Sequence, residues 1–145
     1  MAEKRLLIMF LLSLALSLAL LSLVLACAKP LPAPEPPRID PALIEVMVAE
    51  ESGGDPGAIG RRGEVGLMQI LPSTARTLGY HRSELFDPAT NLECGTRYLE
   101  TLLNQFGDLE TALAAYNAGP GRWRKGRAYA RKVLMAYREA TGNDR

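Results

Sequence analysis

Three glutamates sit on one predicted helix, PALIEVMVAEE from Pro41 to Glu51, and a helical wheel gives them different surroundings. At about 100° per residue, Leu43, Ile44, Met47 and Val48 form an apolar stripe centred about 70° round from Leu43. Glu51 falls at about 80°, in mid-stripe and in the last helical turn, whereas Glu50 lies at the stripe's edge and Glu45 faces water. A carboxylate in that position loses hydration and meets the negative end of the helix dipole, and both effects raise its pKa. A carboxylic acid still protonated near neutral pH is what general acid catalysis on a glycosidic oxygen requires. The wheel leaves a second reading open, a buried Glu paired with an Arg. Most glycoside-cleaving sites use two carboxylates. Asp55 and Glu64 are the nearby candidates, but Asp55-Pro56 reads first as a turn and Glu64 sits in a glycine-rich loop.

The elements that must hold these groups are nearly all helical. Asp40-Pro41 and Asp87-Pro88 each read as an N-cap followed by proline at the first helical position. The second pair opens a helix from Pro88 to Phe106, with Leu92, Leu99, Leu102, Leu103 and Phe106 on one face and Gly107 as its stop. Asp108 caps LETALAAYN, which Ala118-Gly119-Pro120 ends. A last helix covers Ala128 to Thr141, with Tyr129, Val133, Ala136, Tyr137 and Ala140 at helical spacing. Between Ser52 and Gly66 runs a loop with six glycines, and no alternating apolar segment is long enough to predict a sheet.

Composition removes several classes. Lys plus Arg number 17 and Asp plus Glu 16, a net charge of +1 that gives no electrostatic case for nucleic-acid binding. One histidine excludes a multi-His metal site and leaves His81 as the sole base for a Ser-His-Asp triad. The two cysteines, Cys27 and Cys94, have no CxxC spacing, and Cys94 reads as a small buried thiol. From Arg122 to Arg145 eight bases face two acids, which reads as a solvated face offsetting the acidic first part of the domain, or as a contact for an anionic surface.

The text around Glu51 narrows the chemistry. Glu51-Ser52, then Gly63-Glu64-Val65-Gly66-Leu67-Met68-Gln69-Ile70 with Pro72-Ser73-Thr74-Ala75, then Ala115-Tyr116-Asn117-Ala118-Gly119-Pro120-Gly121 resemble the Slt-type lytic transglycosylases of glycoside hydrolase family 23, relatives of goose-type lysozyme. Asp87-Pro88, Asn91 and Gly95-Thr96-Arg97-Tyr98-Leu99 join these motifs in the family's order, and the likeness covers Ile39 to Tyr137. The resemblance implies a mainly α, lysozyme-like domain with a glycan groove and no metal or cofactor. It implies non-hydrolytic cleavage of the MurNAc-GlcNAc β-1,4 bond in peptidoglycan, leaving 1,6-anhydro ends. Glu51 matches the family's acid/base, and Ser52, Met68, Gln69, Tyr116 and Asn117 match its substrate-binding positions. A lysozyme-type hydrolase and a non-catalytic peptidoglycan-binding module are the alternatives. Gly53, Gly54 and Gly60 depart from the pattern, and at Gly60 a serine is common, so a looser loop with altered subsite affinity is expected. Trp123 is read either as a sugar-stacking ring or as packing against the last helix.

The N-terminus bears on location. Leu6 to Ala26 is 21 uncharged residues behind Met-Ala-Glu-Lys-Arg, and it closes on Leu23-Val24-Leu25-Ala26-Cys27. That end resembles a bacterial lipobox, with 1–26 as signal peptide and Cys27 as the lipidated residue; an uncleaved membrane anchor and an ordinary cleaved signal are the other readings. Residues 27–38 form a proline-rich linker, extended over about 30 Å, and 39–145 the domain. The expected place is the periplasm, on a membrane, with Ala28 compatible with outer-membrane sorting; any cell-wall or secretion partner is unspecified.

Overall fold

The computed structural model describes residues 38–142, together with Met9, Ser13, Leu14, Ala15 and Ser17. Cys27 and, apart from those five residues and Arg38, the expected signal and linker segments lie outside the described residues. The chain divides into two units, Met1–Glu35 and Pro36–Arg145. The second unit is mainly helical, and no described helix is long and apolar enough to cross a membrane.

Local signals start and stop the longer helices. In α1, Pro41–Ser52, the Asp40 carboxylate accepts the Ala42 N–H at 2.9 Å and Pro41 occupies the first turn. Helix α2, Pro72–Thr77, and a 3-10 helix, Arg82–Phe86, follow. Helix α3, Pro88–Phe106, is capped by Asp87 accepting from Thr90, and α4, Leu109–Ala118, by Asp108 accepting from Thr111. A second 3-10 helix, Pro120–Gly126, leads into α5, Arg127–Thr141. Helices α1, α3 and α5 end on Gly53, Gly107 and Gly142 in the left-handed conformation. The expected helices thus stand within a residue or so of their bounds. The two 3-10 pieces and α2 carry no periodicity, because each is shorter than the apolar repeat that would reveal it.

Helix α4 is the centre of the core. Ala112, Leu113, Ala114 and Ala115 are all buried, on every side of the helix, against Leu43, Met47, Leu99, Leu102, Ala130 and Val133. Its small residues let the chain pack close: a Cβ on Gly126 would strike the Ala114 carbonyl. Between α1 and α2 there is no strand among the described residues, but two isolated antiparallel bridges, Ile59 to Val65 and Val65 to Ile70, brace the glycine-rich loop. Fully buried Asn91 of α3 ties that loop down: it accepts from Met68 N–H at 2.8 Å and donates to the carbonyls of Val65 at 2.9 Å and Leu85 at 2.8 Å.

The α1 wheel needs one adjustment. Leu43 and Met47 are buried, while Ile44 and Val48 are only half-buried and line an open apolar groove with Ile39, Pro41, Leu67 and Leu92. The buried line therefore runs nearer Leu43 and Met47 than the apolar residue types suggest. It ends between Glu50 and Glu51, which take different partners.

Candidate active site

A cavity of about 460 Å³ opens where the end of α1, the glycine-rich loop, α3 and the end of α4 meet. Its walls include Glu51, Glu64, Gln69, Tyr98, Tyr116 and Asn117, and its size lies within the range of sites that hold a small ligand.

Glu51 reaches it from the last turn of α1. Burial is the main cause that pushes its carboxyl above the ordinary 4.5; the Tyr129 hydroxyl pulls the other way, the charges of Glu50 and Glu64 add to the rise, and Arg62 opposes it. Among the described residues Glu51 has no ion-pair partner: Glu50 pairs with Lys132 at 2.6 Å, and Arg62 pairs with Glu64 at 2.6 Å. The Glu-Arg pair that the wheel left open therefore forms at Glu64. The hydroxyl of Tyr129, on α5, faces Glu51 closely enough to act on its charge, yet it is buried and outside regular hydrogen-bond geometry. Burial, then the Glu51 charge, hold the Tyr129 phenol far above its usual value, so it stays a donor.

The opposite wall is set by bonds to backbone. Gln69 has φ of 46°, in the left-handed region that a side-chain-bearing residue adopts at a cost. Its Nε2 donates to the carbonyls of Gly66 at 2.9 Å and Ala58 at 3.2 Å, which fixes the amide at the cavity wall. Tyr116 donates its hydroxyl to the Met68 carbonyl at 3.0 Å and packs against Tyr98, ring centroids 5.3 Å apart. Asn117, one residue on, is exposed at the rim. The arrangement is an acid in a desolvated wall, facing fixed amide and phenol groups across a space of sugar dimensions.

The sequence profile of the family described as "Transglycosylase SLT domain" matches residues 33–138. The chain belongs to that family. Among its relatives, the transglycosylase of Enterobacteria phage PRD1 is 36% identical over 108 residues, covering 72% of this chain and 40% of the phage protein. The soluble lytic murein transglycosylase of Escherichia coli strain K12 is 43% identical over 87 residues, 54% of this chain and 14% of that protein. The 70 kDa soluble lytic transglycosylase of E. coli superposes with a TM-score of 0.64 at 32% identity, over 72% of this chain and 22% of that one. The chain thus spans less than half the length of these relatives.

Within this SLT domain, the expected site residues divide. Glu51, Gln69, Tyr116 and Asn117 converge on the cavity. Met68 does not line it: the side chain is fully buried against Gly95, and its contribution is the backbone carbonyl that holds Tyr116. Ser52 does not line it either; its Oγ donates to the Leu67 carbonyl at 2.9 Å and accepts the Gly54 N–H at 3.2 Å, tying the end of α1 to the loop. At Gly60 a Cβ would lie 2.5 Å from Glu64 Oε2 and 2.6 Å from Gln69 Oε1, so the glycine makes room for those two side chains. Trp123 lies outside this cavity, its ring 6.5 Å from that of Phe106 on α3, with the guanidinium groups of Arg124 and Arg127 at 4.8 Å and 5.0 Å. Asp55 is an exposed turn residue that accepts the Gly57 N–H. Tyr98, Tyr129 and Arg62 belong to the site without a role expected from the sequence, and Glu64, a candidate second carboxylate there, is held by Arg62.

Proposed function

We propose that the domain is a peptidoglycan lytic transglycosylase that cleaves the MurNAc-GlcNAc β-1,4 bond with Glu51 as its single acid/base. The observation that carries the reading is the contrast between the two cavity carboxylates: Glu51 is desolvated and unpaired, and Glu64 has both oxygens engaged by Arg62. One free carboxylic acid suits a reaction in which the substrate supplies the nucleophile.

Protonated Glu51 gives its proton to the glycosidic oxygen as the C1–O bond breaks, which releases the GlcNAc hydroxyl. The resulting Glu51 carboxylate then takes the proton of the muramyl C6 hydroxyl as that oxygen bonds to C1. The 1,6-anhydro ring closes and Glu51 ends protonated, so no water is consumed. Tyr129 eases the charge that appears on Glu51 between the steps. Gln69, Tyr116 and Asn117 hold the sugars, an ordering that the anchored side chains of Gln69 and Tyr116 provide before substrate arrives. With Cys27 lipidated, the domain works in the periplasm at the end of its proline-rich tether.

The test is mass spectrometry of muropeptides released from purified peptidoglycan by the whole chain, beside Glu51→Gln. Products one water lighter than hydrolysed counterparts, absent with the folded variant, support the reading. Reducing ends make the protein a hydrolase, and a folded chain that binds glycan without product makes it a binding module.

A further inference from the structure

The cavity contains a second acid that the mechanism above does not use. Glu64 is only 8% exposed, and its Oε1 receives Arg62 Nε at 2.6 Å while its Oε2 receives the Arg62 N–H at 2.8 Å. With both oxygens engaged, it is unsuited to attack a sugar or to activate water. As a purely structural pair it is an odd choice, since burying a carboxylate is costly and a pair with an exposed guanidinium contributes little.

Its geometry has a direction. The Arg62 side chain is 59% exposed and that of Glu64 is 11% exposed, so the positive end lies in water and the negative end in the protein wall. Solvent screens an exposed charge far more than a buried one, so the field reaching the cavity is that of the carboxylate. The chain makes space for it there: Gly60 lacks the Cβ that would meet Glu64 Oε2 and Gln69 Oε1, and the Gly60 N–H holds the Glu64 carbonyl at 2.8 Å. Burial pushes the Glu64 carboxyl up, but hydrogen bonds from its own backbone and from Arg62 outweigh it and hold the group below the ordinary 4.5. Glu64 is thus ionised wherever Glu51 titrates. Two carboxyls in one cavity with environments that separate their protonation is a pattern in which one keeps a proton because the other does not.

Building on the transglycosylase reading, we infer that the Arg62–Glu64 pair is an oriented charge device that adds to burial in favouring the acid form of Glu51, with Glu64 as a positioning residue acting through Glu51. The groups facing Glu51 are Glu50 on its own helix, Arg62 and Glu64 on the loop, Tyr116 on α4 and Tyr129 on α5. Of these, Glu50 raises the Glu51 carboxyl more than Glu64 does, although Lys132 pairs with it at 2.6 Å. Glu64 is the buried carboxylate that acts on the acid from outside α1.

The experiment compares pH profiles of kcat/KM for the whole chain, Glu64→Gln and Arg62→Gln on purified peptidoglycan, with carbon-13 titration of the Glu51 carboxyl in the unliganded proteins. Removing the carboxylate leaves Arg62 unopposed, so the alkaline limb and the Glu51 titration move to lower pH. Removing the guanidinium moves both to higher pH, while Glu64 keeps its backbone hydrogen bonds. Opposite displacements with unchanged 1,6-anhydro products are the expected result. Displacements of the same sign, or a fall in kcat with no displacement, overturn the inference and make the pair structural. Where Glu64→Gln fails to fold, the exposed Arg62→Gln decides by its sign alone. An inactive wild-type chain, or an active Glu51→Gln, refutes the transglycosylase reading instead, and the carbon-13 titration still reads the charge effect.

Discussion

Asn91 is the side chain on which the cavity's loop depends most, and replacing it with alanine has a large computable cost. Its amide makes three buried hydrogen bonds, to Met68 N–H and to the carbonyls of Val65 and Leu85. Alanine leaves the Met68 N–H and the Leu85 carbonyl unpaired, while the Val65 carbonyl keeps its bond from the Ile70 N–H, and each buried orphan costs about 1–3 kcal/mol. Two such groups give about 2–6 kcal/mol, and local opening to water brings the expected loss to about 2–4 kcal/mol. Domains of this size are stable by about 5–15 kcal/mol, so the variant retains a marginal fold. Urea unfolding of the whole chain in mild detergent measures it, as a lower midpoint at unchanged slope. Asn91→Asp is a stringent companion: it keeps the acceptor for Met68 and loses both donors, so it must also unfold early. A loss below about 1 kcal/mol for Asn91→Ala would refute the claim that these bonds carry the loop.

Two other predictions concern packing and charge. Gly126→Ala places a methyl against the Ala114 backbone, where neither element has room to yield, and should cost about 1–3 kcal/mol or more; Gly121→Ala, which meets open space, should be near neutral, and thermal melts of the two compared with wild type decide. Glu51→Gln should stabilise the protein in a pH-dependent way. The folded chain holds the Glu51 proton above 4.5 whereas the unfolded chain releases it there, so wild-type stability falls as pH rises through that window. The variant should therefore melt above wild type at pH 7 and level with it at pH 4; a constant offset would contradict the burial of Glu51.

What was legible in the sequence follows from the range of each signal. Helices α1 and α3 announce themselves through a cap and a stripe, and α4 through its cap and its stop, all local, so their bounds can be read to within a residue or so. Glu51 was legible for the same reason, though its stripe was misplaced: Ile44 and Val48 count as apolar on a wheel, and only the fold leaves them lining an open groove. Glu64 was not legible as a buried acid, because a glycine-rich loop has no period to set a face. Met68 was assigned to the groove through a motif in which it sits beside Gln69, yet neighbouring residues in a tight turn point apart, and here one enters the core and the other the cavity. The room that Gly60 leaves depends on atoms of Glu64 and Gln69 that no local pattern reveals.

The same distinction explains how the domain keeps an acid uncompensated. Leaving Glu51 unpaired lowers stability, and holding Gln69 at a positive φ adds a further cost of about 1–3 kcal/mol. Neither persists unless the surroundings leave no cheaper arrangement. The loop cannot slide, because the Val65 bridges and Asn91 fix it at its middle while Ser52 fixes it to α1. Helix α1 cannot turn Glu51 toward water without pulling Leu43 and Met47 from the core and breaking the Glu50–Lys132 contact to α5. The groups that surround the acid thus come from four elements, and the loop and α1 among these are held by bonds made away from the cavity. Strain and desolvation collect at Glu51 and Gln69 because the frame is stronger than either. That makes the frame residues, Asn91 above all, as necessary to the chemistry as the side chains that meet the sugar.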